Sequence, residues 1–413
     1  MRERLTRLFF VNFFRLLLVV VAIGEWVCLA WLLSAAGFEL PRWLYVAVPA
    51  VFYAANLVLV SLPSRMPAPW GQVVRIYTGF AFTSVFGVIF LLLNTIAWTA
   101  IDFLTSGVSW AGGASMAAIA QLPSRGWESS TTFGLVAIGL LFTYGYTFGH
   151  RELRVTRLRI PFRRAAAGLR GLKIVQISDI HIGRFMPPDL LASYVEQVNA
   201  LDPDITVVTG DLLDSTEVIE TGFPVLARLR AKHGVFVILG NHDEYAGADE
   251  VEAGLRRLTP HHVLRDDSVS LRIDGAPLHV VGVNDLGRDW ARGVLEHPAL
   301  AGLLAPLPPD EPVLLLSHRP DLFRQAAAAG VELVLSGHTH GGQVALPNIG
   351  DHRLTLARFM TPYDRGLYRE GDSTLYVNLG IGCTGQRIRL FAPREISVFE
   401  IGTAESTTEV RRG

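Results

Sequence analysis

The chain opens with four apolar stretches, and a sequence that carries such stretches has few folds open to it. Leu16 to Gly37 holds one charged residue, Glu25. It suits a helix crossing a hydrocarbon layer, which takes roughly 20 residues. Trp43–Leu62, Ile76–Trp98 and Thr131–Gly149 follow. In lipid each backbone N–H and C=O must find its partner within the segment, so all four stretches are predicted to be helices. Together they give an N-terminal α-helical membrane bundle of about four spans. A cleaved leader peptide fits less well, because the first run is long, no Ala-x-Ala site closes it and further spans follow. Glu25 is costly against lipid and is expected to face another helix, with Asn56 or Asn94 as its partner. Cys28 and Cys383 lie far apart in the chain, which argues against a disulfide framework.

Arginines set the expected orientation. Arg2, Arg4 and Arg7 precede the first span, Arg65 and Arg75 fall between the second and third, and Arg151 to Arg164 follow the fourth. The opposite loops hold Arg42 and Arg125. Arginine-rich loops stay on the cytoplasmic side. A multi-pass protein of the cell (inner) membrane is therefore expected, with both termini and the C-terminal domain in the cytoplasm. Lys and Arg number 37 against 38 Asp and Glu, a formal net charge of -1. No global electrostatic case for nucleic acid follows.

Beyond the membrane region, 1–150, the reading is a basic connector over 151–170, a folded domain over 171–402 and a polar tail over 403–413. Within the domain, apolar β-like runs alternate with helical patterns. Leu172–Ile177, Ile205–Thr209, Val235–Leu239, Val313–Leu316 and Val331–Leu335 read as strands, and Pro188–Ala200, Val218–Lys232 and Asp321–Ala329 as helices. Leu278–Val283, Leu375–Asn378 and Glu395–Glu400 add strands without helices between them. Continuous apolar strands are those buried on both faces. An α/β layering built as a β-sandwich flanked by helices fits this mixture.

Five of these strands end in chemistry. They run into Asp179-Ile180-His181, Gly210-Asp211, Gly240-Asn241-His242-Asp243, His318, and Gly337-His338-Thr339-His340. Singly, each has an ordinary explanation: Gly-Asp makes turns, Asn after a strand caps a helix, and one histidine is more often a satisfied buried ring than a ligand. Five in succession at strand ends are hard to attribute to turns, and in α/β sheets the carboxyl ends of strands gather at one rim. Carboxylate, imidazole and amide oxygen are donors for borderline or hard divalent ions, and a thiolate site is excluded.

In this order, Asp-x-His, Gly-Asp, Gly-Asn-His-Asp, His, Gly-His-x-His, the chain resembles the calcineurin-like metallophosphoesterases, from roughly Leu172 to Glu400. The resemblance implies a four-layer α/β/β/α sandwich with a two-metal site. It implies Asp179, His181 and His340 on one metal, Asn241, His318 and His338 on the other, and Asp211 between them. Two divalent ions are implied as cofactors, manganese first, with iron, zinc or nickel as alternatives. His242 is implied to contact the phosphate and protonate the leaving group, with Asp243 orienting it. The expected reaction is hydrolysis of a phosphodiester, pyrophosphate or phosphomonoester by metal-activated hydroxide.

The departures narrow the resemblance. Protein phosphatases of this superfamily carry an arginine after Gly-Asp-x-x-Asp and end the third motif in Glu, whereas here Ser215 and Asp243 stand in those places. Gln343 after Gly341-Gly342, and Gly380-Ile381-Gly382 through Arg389 to Glu395, look more like the bacterial membrane-linked branch. A lipid-linked substrate such as a UDP-diacylglucosamine-like molecule, and the bilayer itself, are the partners this implies. The stretch Tyr245 to Pro260 is expected to be a specificity loop. Arg387 and Arg389 read either as contacts to substrate phosphate or as solvated strand-edge residues. The other class of function open to the sequence is a membrane sensor binding metal or nucleotide without turnover.

Overall fold

The fold is seen in a computed structural model, which describes residues 2–61, 70–112, 122–164, 167–286, 294–347, 355–402 and 410–412. The chain divides into two compact units, Met1–Thr143 and Tyr144–Gly413.

The first unit is helical. Helices α1 (Arg2–Ala35), α2 (Leu44–Ser61), α3 (Trp70–Gly112) and α4 (Leu122–Thr147) follow one another. Three of the four are long and apolar enough to cross a membrane, and α2 carries a shorter apolar run, Leu44–Val58. The stretch 99–130, between the third and fourth apolar runs, is helical at both ends, because α3 runs on to Gly112 and α4 begins at Leu122. Its middle, 113–121, lies outside the described residues.

Hydrogen bonds between side chains join these helices, as expected where hydrophobic burial gives no drive for association. Asn56 donates to Glu25 Oε2 at 3.2 Å, and Tyr77 donates to Asn56 Oδ1 at 3.1 Å. The single acid of the first span is therefore fully buried against α2 and α3. Asn94 instead donates to Thr131, Trp98 to Ser130 and Trp127 to Thr95, a ladder between α3 and α4.

The second unit is a pair of stacked sheets. Strand β1 (Leu153–Pro161) opens it, then β2 (Lys173–Ile177), α5 (Pro188–Ala200), β3 (Ile205–Thr209), α6 (Ile219–Leu226), β4 (Val235–Ile238) and α7 (Asn241–Leu258). The chain continues through β5 (His262–Val263), β6 (Asp267–Ile273), β7 (Ala276–Gly282), α8 (Leu300–Leu304), β8 (Val313–Leu316), α9 (Phe323–Ala328) and β9 (Leu333–Ser336). It ends in β10 (Gly366–Glu370), β11 (Ser373–Val377), β12 (Arg394–Gly402) and β13 (Val410–Arg412). The seven-stranded sheet has the order β13-β1-β12-β2-β3-β4-β5, and the six-stranded sheet β10-β11-β9-β8-β7-β6.

Three apolar layers hold this together. Ile174, Val207, Phe236 and Ile238 of one sheet meet Leu278, Val280, Leu314 and Leu335 of the other. The opposite face of the first sheet packs on α5, α6 and α7 through Val195, Phe223 and Val251. The second sheet's outer face packs on α9 through Phe323 and Ala326. Each central strand is thus buried on both faces, which explains its unbroken apolar run. The result is the α/β/β/α sandwich expected from the sequence.

Several expectations change. Residues 151–170 are not simply a connector, because β1 pairs in parallel with β12 over its whole length, from Leu153↔Arg394 to Pro161↔Gly402. Two of its three arginines, Arg157 and Arg159, occupy alternate positions and face solvent while Thr156, Leu158 and Ile160 are buried. The charge run concealed a period-two strand. The helix expected over Val218–Lys232 stops at Leu226 and carries Pro224 inside it. The supposed specificity loop Tyr245–Pro260 is mostly helix α7, kinked at Gly247, where φ is 125°. Of the polar tail, 403–409 and 413 lie outside the described residues, and Val410–Arg412 pairs with β1.

Phe236 is fully buried between the two sheets. Phe236→Ala should remove about 3–5 kcal/mol of stability through lost transfer energy and a residual cavity. A lowered thermal midpoint of the full chain in detergent would show it, and an unchanged midpoint would contradict the inter-sheet core.

Candidate metal centre

All five chemistry-bearing segments emerge at one end of the two sheets. Asp179 and His181 follow β2, Asp211 follows β3, Asn241 and His242 open α7 after β4, His318 follows β8, and His338 and His340 follow β9. The backbone at this rim is unusual. Asp179, His181, Asp211, His338 and His340 all have φ between 48° and 72°, the left-handed region that residues with a Cβ seldom enter. Such conformations cost of order 1–3 kcal/mol each and persist where surrounding contacts fix them.

Here the fixing contacts are backbone hydrogen bonds between the loops. Asp179 N–H donates to Gly210 O, His181 N–H to Asp211 O and Gly337 N–H to His318 O, at 2.9–3.0 Å. His338 N–H donates to Asp179 Oδ1 and His242 N–H to Asp211 Oδ1, both at 2.9 Å. Gly337 admits this approach because any Cβ there would collide with Ser178 Oγ and Asp179 Oδ2.

The side chains converge on two clusters. In the first, His181 Nε2 and His340 Nε2 lie 3.1 Å apart, and Asp179 Oδ1 is 3.4 Å from His340 Nε2. Asp211 Oδ2 is 3.6 Å from His181 Nε2. In the second, His318 Nε2 lies 3.3 Å from Asp211 Oδ1 and 3.2 Å from Asn241 Oδ1, and His338 completes the group. Asp211 belongs to both. The outer nitrogens of two rings are spoken for: His318 Nδ1 meets Thr209 O at 2.8 Å, and His181 Nδ1 meets Asp214 Oδ1 at 2.8 Å. Ring partners of this kind are what orient an imidazole toward a metal. Asp179 Oδ2 is buried with no hydrogen-bond partner. An orphaned carboxylate oxygen beside two facing imidazole nitrogens is the arrangement a cation would satisfy, so the donor set fits divalent metal.

The charges of this centre are frustrated without one. Burial opposes ionisation of Asp179 most strongly and raises its carboxyl above the usual range, with Asp211 adding to the effect. Asp211 itself is also penalised by burial, yet the His318 ring holds it well below the carboxylate range. Burial disfavours protonated His181 and His318, but Asp214 and Asp211 outweigh it and raise the rings to about 9 and about 10. His340 is held well below the histidine range by burial, then by His181 and Arg389.

Asp243 is placed differently from the sequence reading, which had it orient His242. The His242 ring stands edge-on to His181, with centroids 4.6 Å apart, and remains about one-third exposed. Asp243 does not orient it. The Asp243 carboxylate is fully buried and accepts the N–H groups of Leu212, Leu213 and Gly240, tying β3's loop to the start of α7. Burial raises it to about 7. The carboxylate that faces His242 is Asp214, 3.9 Å from its Nδ1. Sequence reasoning passed over Asp214, although its place three residues after Asp211 put it on the same turn. Arg389 is likewise no strand-edge residue: it is among the largest fully buried side chains and donates to the carbonyls of Gly380 and Gly382. Gln343 exchanges hydrogen bonds with Thr384, closing the glycine loop against the C-terminal tail. His261 and His279 are buried and belong to neither cluster, and Cys383 is buried beside Arg389.

Residues 172–342 match the family model for calcineurin-like phosphoesterase. YkuE, an uncharacterised metallophosphoesterase of Bacillus subtilis (strain 168), is 31% identical over 279 residues, covering 65% of this chain and 94% of that protein. A transmembrane protein with metallophosphoesterase domain from Bos taurus is 28% identical over 360 residues, covering 79% of each. A dimetal phosphatase from Danio rerio has a solved structure that covers 59% of this chain and 96% of its own, with a TM-score of 0.39 and 13% identity. The chain belongs to the calcineurin-like metallophosphoesterases, and its first unit holds helices that could span a membrane.

The raised histidines make a sign prediction. A ring lifted from 6.5 to about 9 or 10 stabilises the metal-free fold fully below pH 6.5 and loses that contribution as pH rises through the folded values. A cation needs those rings neutral, so loading at pH 7 should expel protons and should tighten as pH rises. Titration calorimetry of the metal-stripped chain in buffers of different ionisation heat reads the protons directly. Identical heats in every buffer would mean the rings are already neutral.

Proposed function

We propose that this protein is a membrane-anchored, two-metal phosphoesterase acting on a phosphodiester or pyrophosphate, with a lipid-linked substrate of the UDP-diacylglucosamine-like type as the preferred class. The observation that carries this reading is the pair of clusters sharing Asp211 at one sheet rim. In it Asp179, His181 and His340 would hold one divalent ion, Asn241, His318 and His338 would hold the other, and Asp211 would serve both. When bound, the two ions activate water and neutralise charge developing on the phosphoryl oxygens. Manganese is the preferred metal of this reading.

The chain's own groups complete the chemistry. His242 stands beside the clusters, part-exposed and within reach of a leaving oxygen, and acts as its proton donor. Asp214 serves as its positioning residue and at the same time fixes the His181 ring, the role the sequence gave to Asp243. Asn241 adds an uncharged contact beside His318.

The catalytic unit lies on the cytoplasmic side in this reading. Arg154, Arg157 and Arg159 belong to a strand and lend no weight to loop charge. The orientation therefore rests on Arg2, Arg4, Arg7, Arg65 and Arg75 against Arg42 and Arg125.

Purified, metal-stripped full chain should hydrolyse chromogenic phosphate diesters once manganese is returned, with zinc, nickel and magnesium run alongside. Asp211→Asn should lose both turnover and metal. His242→Asn should keep its metal and lose roughly 10²–10⁴-fold in kcat, the usual contribution of general acid catalysis. Undiminished turnover in His242→Asn would remove that residue from the chemistry. In sealed spheroplasts the C-terminal unit should resist added protease, and its digestion would reverse the orientation.

A further inference from the structure

The two rings that follow β9 belong to different clusters. His340 lies with Asp179, His181 and Asp211, and His338 with Asp211 and His318. The residue between them is Thr339, which is 6% exposed. Both histidines have left-handed backbone, with φ of 72° and 50°. A turn strained in this way keeps its shape only where surrounding contacts hold it.

Thr339 supplies that hold. Its N–H donates to Gly337 O at 2.9 Å, and its carbonyl accepts the Gly342 N–H at 2.7 Å. Its hydroxyl accepts the Gly341 N–H at 3.2 Å and donates to the backbone carbonyl of Asp364 at 2.6 Å. The first three bonds lie within the turn. The fourth crosses to a separate segment, 25 residues further along the chain.

That segment is itself fixed. Asp364 is fully buried, and its Oδ1 accepts the Tyr368 hydroxyl at 2.7 Å and Arg358 Nη1 at 3.1 Å. Arg358 Nη1 also donates to Pro362 O at 2.6 Å, which closes residues 358–364 on themselves. The Tyr363 and Tyr368 rings meet edge to face with centroids 5.1 Å apart, and Tyr363 meets Phe323 of α9 in the same way at 5.6 Å. The anchor therefore stands on the outer core of the second sheet. Asp364 Oδ2 has no hydrogen-bond partner, and Arg365 Nε is 3.8 Å from it. A buried ion pair satisfied only in part is a poor stabiliser of a fold. What this one does is hold the Asp364 carbonyl against the Thr339 hydroxyl.

We infer that Thr339, held by the Asp364 carbonyl, is the positioning residue of the two-histidine turn, and that its one hydroxyl sets the aim of an imidazole in each cluster. That role rests on the two-metal reading of the site. Groups one step behind the ligands are worth roughly 10–100-fold in metal affinity. Asp214, behind the His181 ring, acts on one cluster. Thr339 stands between two ligand rings, so its loss acts on both.

The test is a cobalt titration of the metal-stripped full chain in detergent, read by visible absorption, which reports ligand geometry. The thermal midpoint of the metal-free protein is measured alongside. The unaltered chain should take two ions. Thr339→Val keeps the branching of the side chain and removes the hydroxyl. It should weaken both ions roughly 10–100-fold and shift the cobalt bands at saturation. Its metal-free midpoint should fall by only roughly 2–4 °C, the scale of one lost hydrogen bond. Thr339→Ser restores the hydroxyl and should restore both affinity and bands. Asp364→Asn keeps the carbonyl but loosens its anchor, so it should weaken both ions by a smaller factor. Unchanged binding in Thr339→Val and Asp364→Asn, a loss confined to one ion, or a defect that Thr339→Ser shares in full would overturn the inference. Should Thr339→Val fail to fold, Asp364→Asn decides by the same readings. An unaltered chain that takes fewer than two cobalt ions would overturn the two-metal reading, and this role with it.

Discussion

Two carboxylates withdrawn from water, Asp179 and Asp211, are the constraint around which the second unit is arranged. Burying a charge is tolerable only if it is paired or coordinated. Histidines from four loops supply part of the answer, and Asp179 Oδ2 still lacks a partner. Rigid strands bring these groups together, and the loops that carry them adopt left-handed backbone at five positions. That strain is held by hydrogen bonds from one loop to the next and by the inter-sheet core below them. A centre of this kind is an expense of the fold, repaid when cations enter.

The first unit solves the opposite problem. Its helices meet where there is little water to expel, so association depends on close packing and on a few hydrogen bonds between helices. Glu25, Asn56 and Tyr77 join α1, α2 and α3, and Asn94, Trp98 and Trp127 join α3 to α4. More helices are present than tethering alone requires.

Much of the fold was legible in the chain, and the misses share a cause. Helix α5 and strand β3 have the bounds that periodicity assigns, because each is governed by its own buried face. Strand β1 was read as a connector because its arginines were weighed as charge, while its alternation was the truer signal. Helix α7 takes in most of the stretch expected as a specificity loop, with a kink at Gly247. The donor residues could be named from the motifs. Which acid stands beside His242 could not, since Asp214 and Asp243 both lie within reach in sequence and differ only in where their side chains turn.

The sequence by itself determined the two-part plan, the apolar spans, the strands buried on both faces and the residue types at each strand end, because these follow from local pattern and spacing. Tertiary structure alone decided that Asp211 faces both clusters, that Asp243 is spent on backbone N–H groups, and that Arg389 lies buried among the carbonyls of Gly380 and Gly382. Each of those facts depends on loops more than a hundred residues apart or on the direction of one side chain. Local pattern carries no information about either, since only the packing of the two sheets fixes them.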